Sequence, residues 1–336
     1  MSDSTEKTPA VQDETFDLLV VGSGPTGLSC AIEAQKAGLR AVVVDKGCIC
    51  NSLFHYPAHM TFFTTPELLE IGGLPFPCSN TKPTRDEALH YYRQVAAYYH
   101  LDVRQYLRVE RVTGADGGFT AHTLDRFTRT GEIHARKLAI ATGYYDLPNY
   151  LHIHGESLSK VHHYYFDPHP YSGTDVVVIG GKNSAAIAAL ELWRSGARVT
   201  LVHRDAGMHQ QVKYWIKPDI ENRIKCGQIK AYFNSHVVEI TPDSVILETP
   251  QGRETLKNDF VFAMTGYHPD FNFLQAMGVR IESNDRLPVC NKETLESNVA
   301  GIYLAGVVVA GARTNEIVIE NGRMHGCQIA KAIAGK

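Results

Sequence analysis

Residues 17–27 read DLLVVGSGPTG. The first five form an apolar run of the kind that lies in a buried parallel strand. Gly22, Gly24 and Gly27 then follow with the G-x-G-x-x-G spacing. Working outward, an Ala-rich helical pattern extends to about Ala37, Gly38 stops it, and residues 41–44 (AVVV) give a second strand that ends in Asp45. Glycines at this spacing allow a tight turn, close approach of backbone to a pyrophosphate and tight packing of helix on strand, while the helix N-terminus offers unpaired N–H groups to phosphates. Asp45 stands eighteen residues after Gly27, where a carboxylate binds ribose hydroxyls and repels a 2′-phosphate. A dinucleotide with a non-phosphorylated adenosine is expected here.

The same pattern returns later in the chain. Residues 175–179 (DVVVI) read as a strand, Gly180-Gly181-Lys182-Asn183-Ser184-Ala185 as the turn, the following residues as a helix to about Ser195, and residues 198–202 as the next strand. This copy ends in His203-Arg204, so a basic pair replaces the acid and favours a 2′-phosphate, hence NADPH over NADH. Lys182 takes the place of the middle glycine, which either loosens the pyrophosphate fit or adds a cation beside it. Two sites of opposite preference imply electron transfer between two dinucleotides, with FAD in the first and NADPH in the second, and so an oxidoreductase.

Two further strand ends turn on glycine, LAIATG at 138–143 and FVFAMTG at 260–266. The second unit lies between them, so the expected fold is α/β, with two Rossmann-like dinucleotide-binding domains of the three-layer ββα type and the NADPH domain inserted into a discontinuous FAD domain. The expected boundaries are a disordered tail at 1–15, an FAD-binding domain at 16–146 and 268–336, and an NADPH-binding domain at 147–267. A net charge of −3 over 336 residues, without basic runs, excludes nucleic acid as a partner. The longest apolar run, residues 301–312, is too short to span a membrane, and the polar acidic start lacks the features of a signal peptide. Seven scattered cysteines indicate a reducing compartment, the cytoplasm by default. His152, His154, His162, His163 and His169 cluster without zinc-like spacing, so no metal is expected. Cys48 and Cys50 are the one close thiol pair, and read either as a redox pair or as spare core cysteines; Cys30, Cys290 and Cys327 read as packing.

The ordered set GSGPTG, ATGYYDLPN, GGKNSA, VHR, TGYHPD and GIYLAG resembles the low-molecular-weight thioredoxin reductase-like flavoproteins across residues 16–334. Within that group, residues 51–77, 212–227 and 314–326 are similar to the bacillithiol disulfide reductase family. The resemblance implies an FAD-containing, NADPH-consuming homodimer or homotetramer that returns bacillithiol disulfide, a small disulfide substrate, to the thiol. By resemblance, Gly22, Gly24, Pro25, Thr26, Gly27, Asp45, Lys46, Asn51, Thr142, Gly143 and Gly306 would hold FAD, with a helix start carrying Thr314, Asn315 and Ile317 closing over the flavin. Gly180, Gly181, Lys182, Asn183, Ser184, Ala185, His203 and Arg204 would hold NADPH. The same resemblance puts His325 near the flavin, where it could protonate a leaving thiolate near neutral pH. Three departures matter. The second domain has only Cys226, not the Cys-x-x-Cys of thioredoxin reductases; Gly306 is followed by Val307 rather than an acid; and Thr26 stands where some members carry a cysteine. A ferredoxin or flavodoxin NADP reductase, which also lacks the Cys pair, is the competing function, and a flavin-binding redox sensor a third.

Overall fold

The computed structural model describes residues 14–335. They form two compact units, one of residues 14–54, 61–147 and 268–335, the other of residues 55–60 and 148–267. The chain opens with β1 (Thr15–Val21), α1 (Pro25–Lys36), β2 (Ala41–Val44) and the short α2 (Asn51–Phe54). Then come α3 (Arg85–Tyr98), β3 (Asp102–Arg104) and a meander of β4 (Leu107–Ala115), β5 (Gly118–Asp125) and β6 (Thr130–Ile140). The other unit contains β7 (Val161–His162), β8 (Asp175–Ile179), α4 (Asn183–Arg194), β9 (Arg198–Val202), α5 (Lys217–Lys225) and β10 (Lys230–Tyr232). It continues with β11 (His236–Ile240), β12 (Ser244–Thr249), β13 (Gly252–Lys257) and β14 (Phe260–Ala263). The chain returns to the first unit as α6 (Phe271–Ala276), β15 (Ile302–Leu304), α7 (Ile319–Gly322) and α8 (His325–Ala334).

Each unit joins a parallel sheet to a three-stranded antiparallel layer. In the first, β3, β2, β1 and β6 are parallel neighbours, and β15 also joins β6 in parallel. Strand β6 is eleven residues long, so its first half pairs with β5 in the meander while its last three residues, Leu138 to Ile140, pair with β15. In the second unit β10, β9, β8, β14 and β7 are all parallel, and β11, β12 and β13 form the meander.

The apolar run of β1 explains the layering. Successive side chains of a strand point to opposite faces. Leu19 and Val21 pack with the meander residues Val109, Phe119 and Ile133. Leu18 and Val20 pack instead with Ala31 and Ala34 of α1 and Ile329 of α8. A strand covered on both sides needs an unbroken apolar run, which is why alternation is missing from the sequence here. Cys30 belongs to the helix-side core, where burial pushes its thiol up to about 12. On α3, Tyr91 and Tyr92 are buried, with hydroxyls donating to the carbonyls of Leu74 and Leu69 at 2.8 and 2.9 Å, and so tie down the chain between α2 and α3.

Two boundaries differ from expectation. Thr15 pairs with His134 in β6, and Glu14 is ion-paired to Arg40 and Arg104, so order begins before Phe16; the rest of the expected tail, residues 1–13, lies outside the described residues. Residues 55–60 belong to the second unit, held there by the Ala58 N–H to Phe166 carbonyl bond of 2.8 Å and a His59–Asp167 contact of 3.4 Å. No helix among the described residues is long and apolar enough to cross a membrane.

Helices α1 and α8 meet where Gly326 faces Ser29: a Cβ on Gly326 would lie 2.6 Å from the carbonyl carbon of Ser29. Backbone cannot yield as a flexible side chain can, so Gly326→Ala is expected to destabilise the protein by about 1–3 kcal/mol. Gly118→Ala, where nothing lies within 4 Å of the new Cβ, should stay within about 0.5 kcal/mol of the parent. Chemical denaturation of both variants checks the contrast, and equal midpoints would refute the helix contact as a packing constraint.

Candidate functional site

The first fingerprint turn leaves β1 at Gly22, whose φ of +108° and neighbouring Ala141 carbonyl, 2.4 Å from a would-be Cβ, admit only glycine. At Gly27 a Cβ would fall 1.9 Å from the carbonyl oxygen of Gly22, so α1 starts flush against the turn. Gly24 differs, because a Cβ there meets nothing within 4 Å. It is the N-cap of α1, makes no side-chain cap and is followed by Pro25 at the first helical position. Open space over an uncapped helix start is the cradle a pyrophosphate requires.

Asp45 faces this turn from the end of β2. Its Oδ2 accepts from both the N–H and the hydroxyl of Ser23, at 2.7 and 2.8 Å, and its Oδ1 accepts from the N–H of Gly47 at 2.9 Å. A carboxylate offers about four acceptor positions, so three donors leave room for roughly one ribose hydroxyl. Asp45 is thus chiefly a brace for the turn, a role that sequence spacing does not reveal. Lys46 pairs with Asp146 at 3.0 Å, and Asn51 opens α2 with its side chain against Gly47. Thr142 and Gly143 follow β6 at the same carboxyl edge, Gly143 with φ of +71°.

Neither thiol of the Cys48, Cys50 pair is activated. Cys50 is buried and in the left-handed conformation, and its backbone N–H and its thiol both address the carbonyl of Ser23, at 3.1 and 3.5 Å. The Cys48 thiol turns toward Asn51 Oδ1 at 3.7 Å. Burial raises both thiols above their ordinary range, Cys50 strongly, with the Asp45 charge adding to each. All seven cysteines are free.

His325 heads α8 and is buried; its Nδ1 accepts the N–H of Gly306 at 3.0 Å. With Nδ1 an acceptor, the ring proton sits on Nε2. Burial also pulls the imidazole below its usual value of 6.5, so the ring is neutral at neutral pH. For the proton-donor role that the resemblance implies, the group on offer is the neutral ring's Nε2–H. Thr26 closes the cluster: Cβ positions on Gly306 and Gly322 would lie 3.1 and 3.2 Å from its hydroxyl. A second correction concerns Thr314, Asn315 and Ile317. They lie in turns rather than at a helix start, and α7 begins only at Ile319. Asn321 holds these turns, accepting from the Val318 N–H at 2.8 Å and donating to the Glu316 carbonyl at 2.9 Å.

In the second unit Gly180 has φ of +140° and Lys182 is the N-cap of α4, exposed and without a side-chain cap. Ser184 and Ala185 lie in the first turn of α4, exposed and buried respectively. The basic pair is divided by burial. His203 is only 8% exposed and its ring lies under Gly181, with ring atoms 2.3 Å from a would-be Cβ. Burial lowers its pKa, and its Nε2, 3.2 Å from Asp205 Oδ2, has no aligned hydrogen-bond partner. Arg204 is exposed. Burial thus divides the expected pair: the Arg204 side chain is exposed, and the His203 ring supports the glycine turn from below. Sequence reasoning also missed the partners of Asn183, which accepts from the N–H of Lys213 at 2.9 Å and donates to the carbonyl of Gln211 at 3.3 Å. Nothing in a single sequence joins positions 183 and 213.

The family model described as pyridine nucleotide-disulphide oxidoreductase matches residues 19–306. Bacilliredoxin reductase Bdr of Bacillus subtilis (strain 168) is 45% identical over 317 residues, 94% of this chain and 97% of that protein. The solved structure of bacillithiol disulfide reductase Bdr from Bacillus cereus superposes with a TM-score of 0.94 at 45% identity, covering 96% of this chain and 99% of that one. Thioredoxin reductase from T. acidophilum, at 24% identity and a TM-score of 0.75 over 96% of this chain and 98% of its own, shares the fold. The 45% identity to the Bdr proteins over nearly the full length, the two fingerprint turns and the matched model together make this chain an oxidoreductase of the pyridine nucleotide-disulphide oxidoreductase family.

Proposed function

We propose that the chain is an NADPH-dependent flavoprotein that reduces bacillithiol disulfide, working as a homodimer or homotetramer in the cytoplasm. The observation that carries the substrate is the 45% identity to Bdr proteins over nearly the whole of both chains. The cofactors are supported by the two uncapped helix starts, with Asp45 at one strand end and Arg204 at the other. Gly22, Gly24, Gly27, Asp45 and Gly306 would hold FAD, and Gly180, Gly181, Lys182, Ser184 and Arg204 would hold NADPH. When both are bound, two electrons pass from NADPH by way of FAD to the disulfide, and one further proton completes two thiols and NADP⁺.

The protein's own groups bind and orient. The first turns of α1 and α4 present N–H donors to phosphates, and Asp45 keeps the first turn in shape through Ser23 and Gly47. His325, fixed by Gly306, offers Nε2–H as a hydrogen-bond donor that stays neutral, as a buried imidazole can. The raised pKa values of Cys48 and Cys50 make both poor nucleophiles, since the thiolate is the attacking form.

Anaerobic reduction with NADPH followed by bacillithiol disulfide tests the function: the oxidised flavin absorbance should return within the turnover time. A flavin that stays reduced with the disulfide but reoxidises with ferredoxin or flavodoxin would transfer the assignment to the NADP reductase class. Cys48→Ser and Cys50→Ser should each keep disulfide turnover within about threefold, because a thiolate nucleophile would be missed by orders of magnitude. A loss of a hundredfold in either would restore the redox pair. His325→Ala should slow disulfide turnover by roughly 10²-fold, by about the same factor at every pH from 7 to 9. An acidic imidazolium would instead give the parent enzyme a loss of rate as pH rises through 7, absent from the variant, and that profile would overturn the neutral-donor role.

A further inference from the structure

His325 opens α8 almost directly after α7: Arg323 is the C-cap of α7, and Met324 is the one residue between. The start of α8 has no side-chain cap, and the junction is held instead by Arg323. Its Nη1 donates to the carbonyls of Glu67 and Glu70 at 2.8 and 2.6 Å, and its Nε to the carbonyl of Glu320 at 3.3 Å. Its own carbonyl accepts the hydroxyl of buried Ser29, in α1, at 2.7 Å. A guanidinium spent on three backbone carbonyls fixes the course of the chain.

The loop that Arg323 grips is itself braced. The buried Tyr92 of α3 donates its hydroxyl to the Leu69 carbonyl at 2.9 Å, and Tyr91 accepts the N–H of Ile71 at 3.0 Å while donating to the Leu74 carbonyl at 2.8 Å. Glu70 Oε1 accepts the N–H of Phe76 at 2.9 Å. Arg323 therefore ties a fixed loop to the residue two positions before His325. The bond from the Gly306 N–H to Nδ1 selects the ring tautomer whose proton is on Nε2, and such a bond weakens steeply when misaligned. Whatever holds the junction holds the donor as well.

We propose that Arg323 is a positioning residue for His325: by tying the α7–α8 junction to residues 67–70 it keeps the imidazole on the Gly306 N–H, and so presents a single tautomer whose Nε2–H donates a hydrogen bond to the sulfur leaving a small disulfide. The ring keeps its proton throughout. The inference rests on the donor role given to His325 under the proposed function.

Two readouts separate positioning from a general loss of packing. In the holoenzyme with nitrogen-labelled histidine, the imidazole signals of His325, assigned by their absence from His325→Ala, should show the neutral Nε2–H tautomer. In Arg323→Ala they should move to values averaged between tautomers. In single-turnover kinetics Arg323→Ala should reoxidise the flavin with bacillithiol disulfide about tenfold more slowly, while reduction by NADPH stays within about twofold of the parent. Ser29→Ala, which cuts the other tie to the junction and spares the guanidinium, should shift both readouts in the same direction. Arg323→Lys should restore them, since Nη1 alone serves both loop carbonyls and one ammonium can replace it. Adding Arg323→Ala to His325→Ala should cost no further rate, because one residue acts through the other. A double variant slower by the full tenfold, unmoved imidazole signals in folded Arg323→Ala, or equal losses in both half-reactions would overturn the positioning role and leave His325 as donor. A parental rate in His325→Ala would instead remove the donor role, and with it any part for Arg323 in the reaction.

Discussion

The seating of α1 on the end of β1 is the contact from which the first unit's functional geometry hangs. A Cβ at Gly27 would press to 1.9 Å from the Gly22 carbonyl, so any other residue would lift the helix off the turn. The displacement would not stay local. Thr26, one residue earlier, lies against Gly306 and Gly322, and Ser29, two residues later, receives Gly326 and donates its hydroxyl to the Arg323 carbonyl at 2.7 Å. His325 reaches Gly306 from the same end of α8. Three glycines outside the fingerprint thus serve the approach that the fingerprint begins, and close packing transmits a shift of a fraction of an ångström through all of them.

The two units apply one device with opposite chemistry at the strand end. Both helices start without a side-chain cap, leaving first-turn N–H groups and the positive end of the helix dipole directed at a ligand. In the first unit the strand-end carboxylate bends inward and takes three donors, each such bond to a charged group being worth about 1.5–3 kcal/mol. In the second the strand-end imidazole also turns inward, but packs without an aligned partner. The inward residue shapes the turn in both cases.

Much of this architecture could be read before any coordinates. The strands at 41–44, 175–179 and 198–202 have the bounds their apolar runs indicate, because a parallel strand buried on both faces has little freedom of composition. The fingerprint turns were equally readable, since few residues other than glycine fit them. What escaped was whatever depends on pairing across the fold. Spacing identifies Asp45 as a strand-end acid but cannot count the donors that reach it. It marks His203 as basic but cannot tell that the ring lies under Gly181. The resemblance implies a helix start at 314–317, and Asn321, several residues away, holds these residues as turns.

The titratable groups around the first turn share one electrostatic consequence. Burial raises Cys48 and Cys50 and lowers His325, so all three are held in their neutral forms for the same reason, the loss of water around a charge. None of these groups has an opposite charge close enough to reverse that direction. Backbone N–H groups at the uncapped start of α1 supply a fixed positive field at this edge. Such a field does not titrate, and it suits anionic phosphates over a wide range of pH. The side chains are left to provide shape and hydrogen-bond direction, which is the division of labour expected of a protein whose reactive chemistry is carried by bound nucleotides.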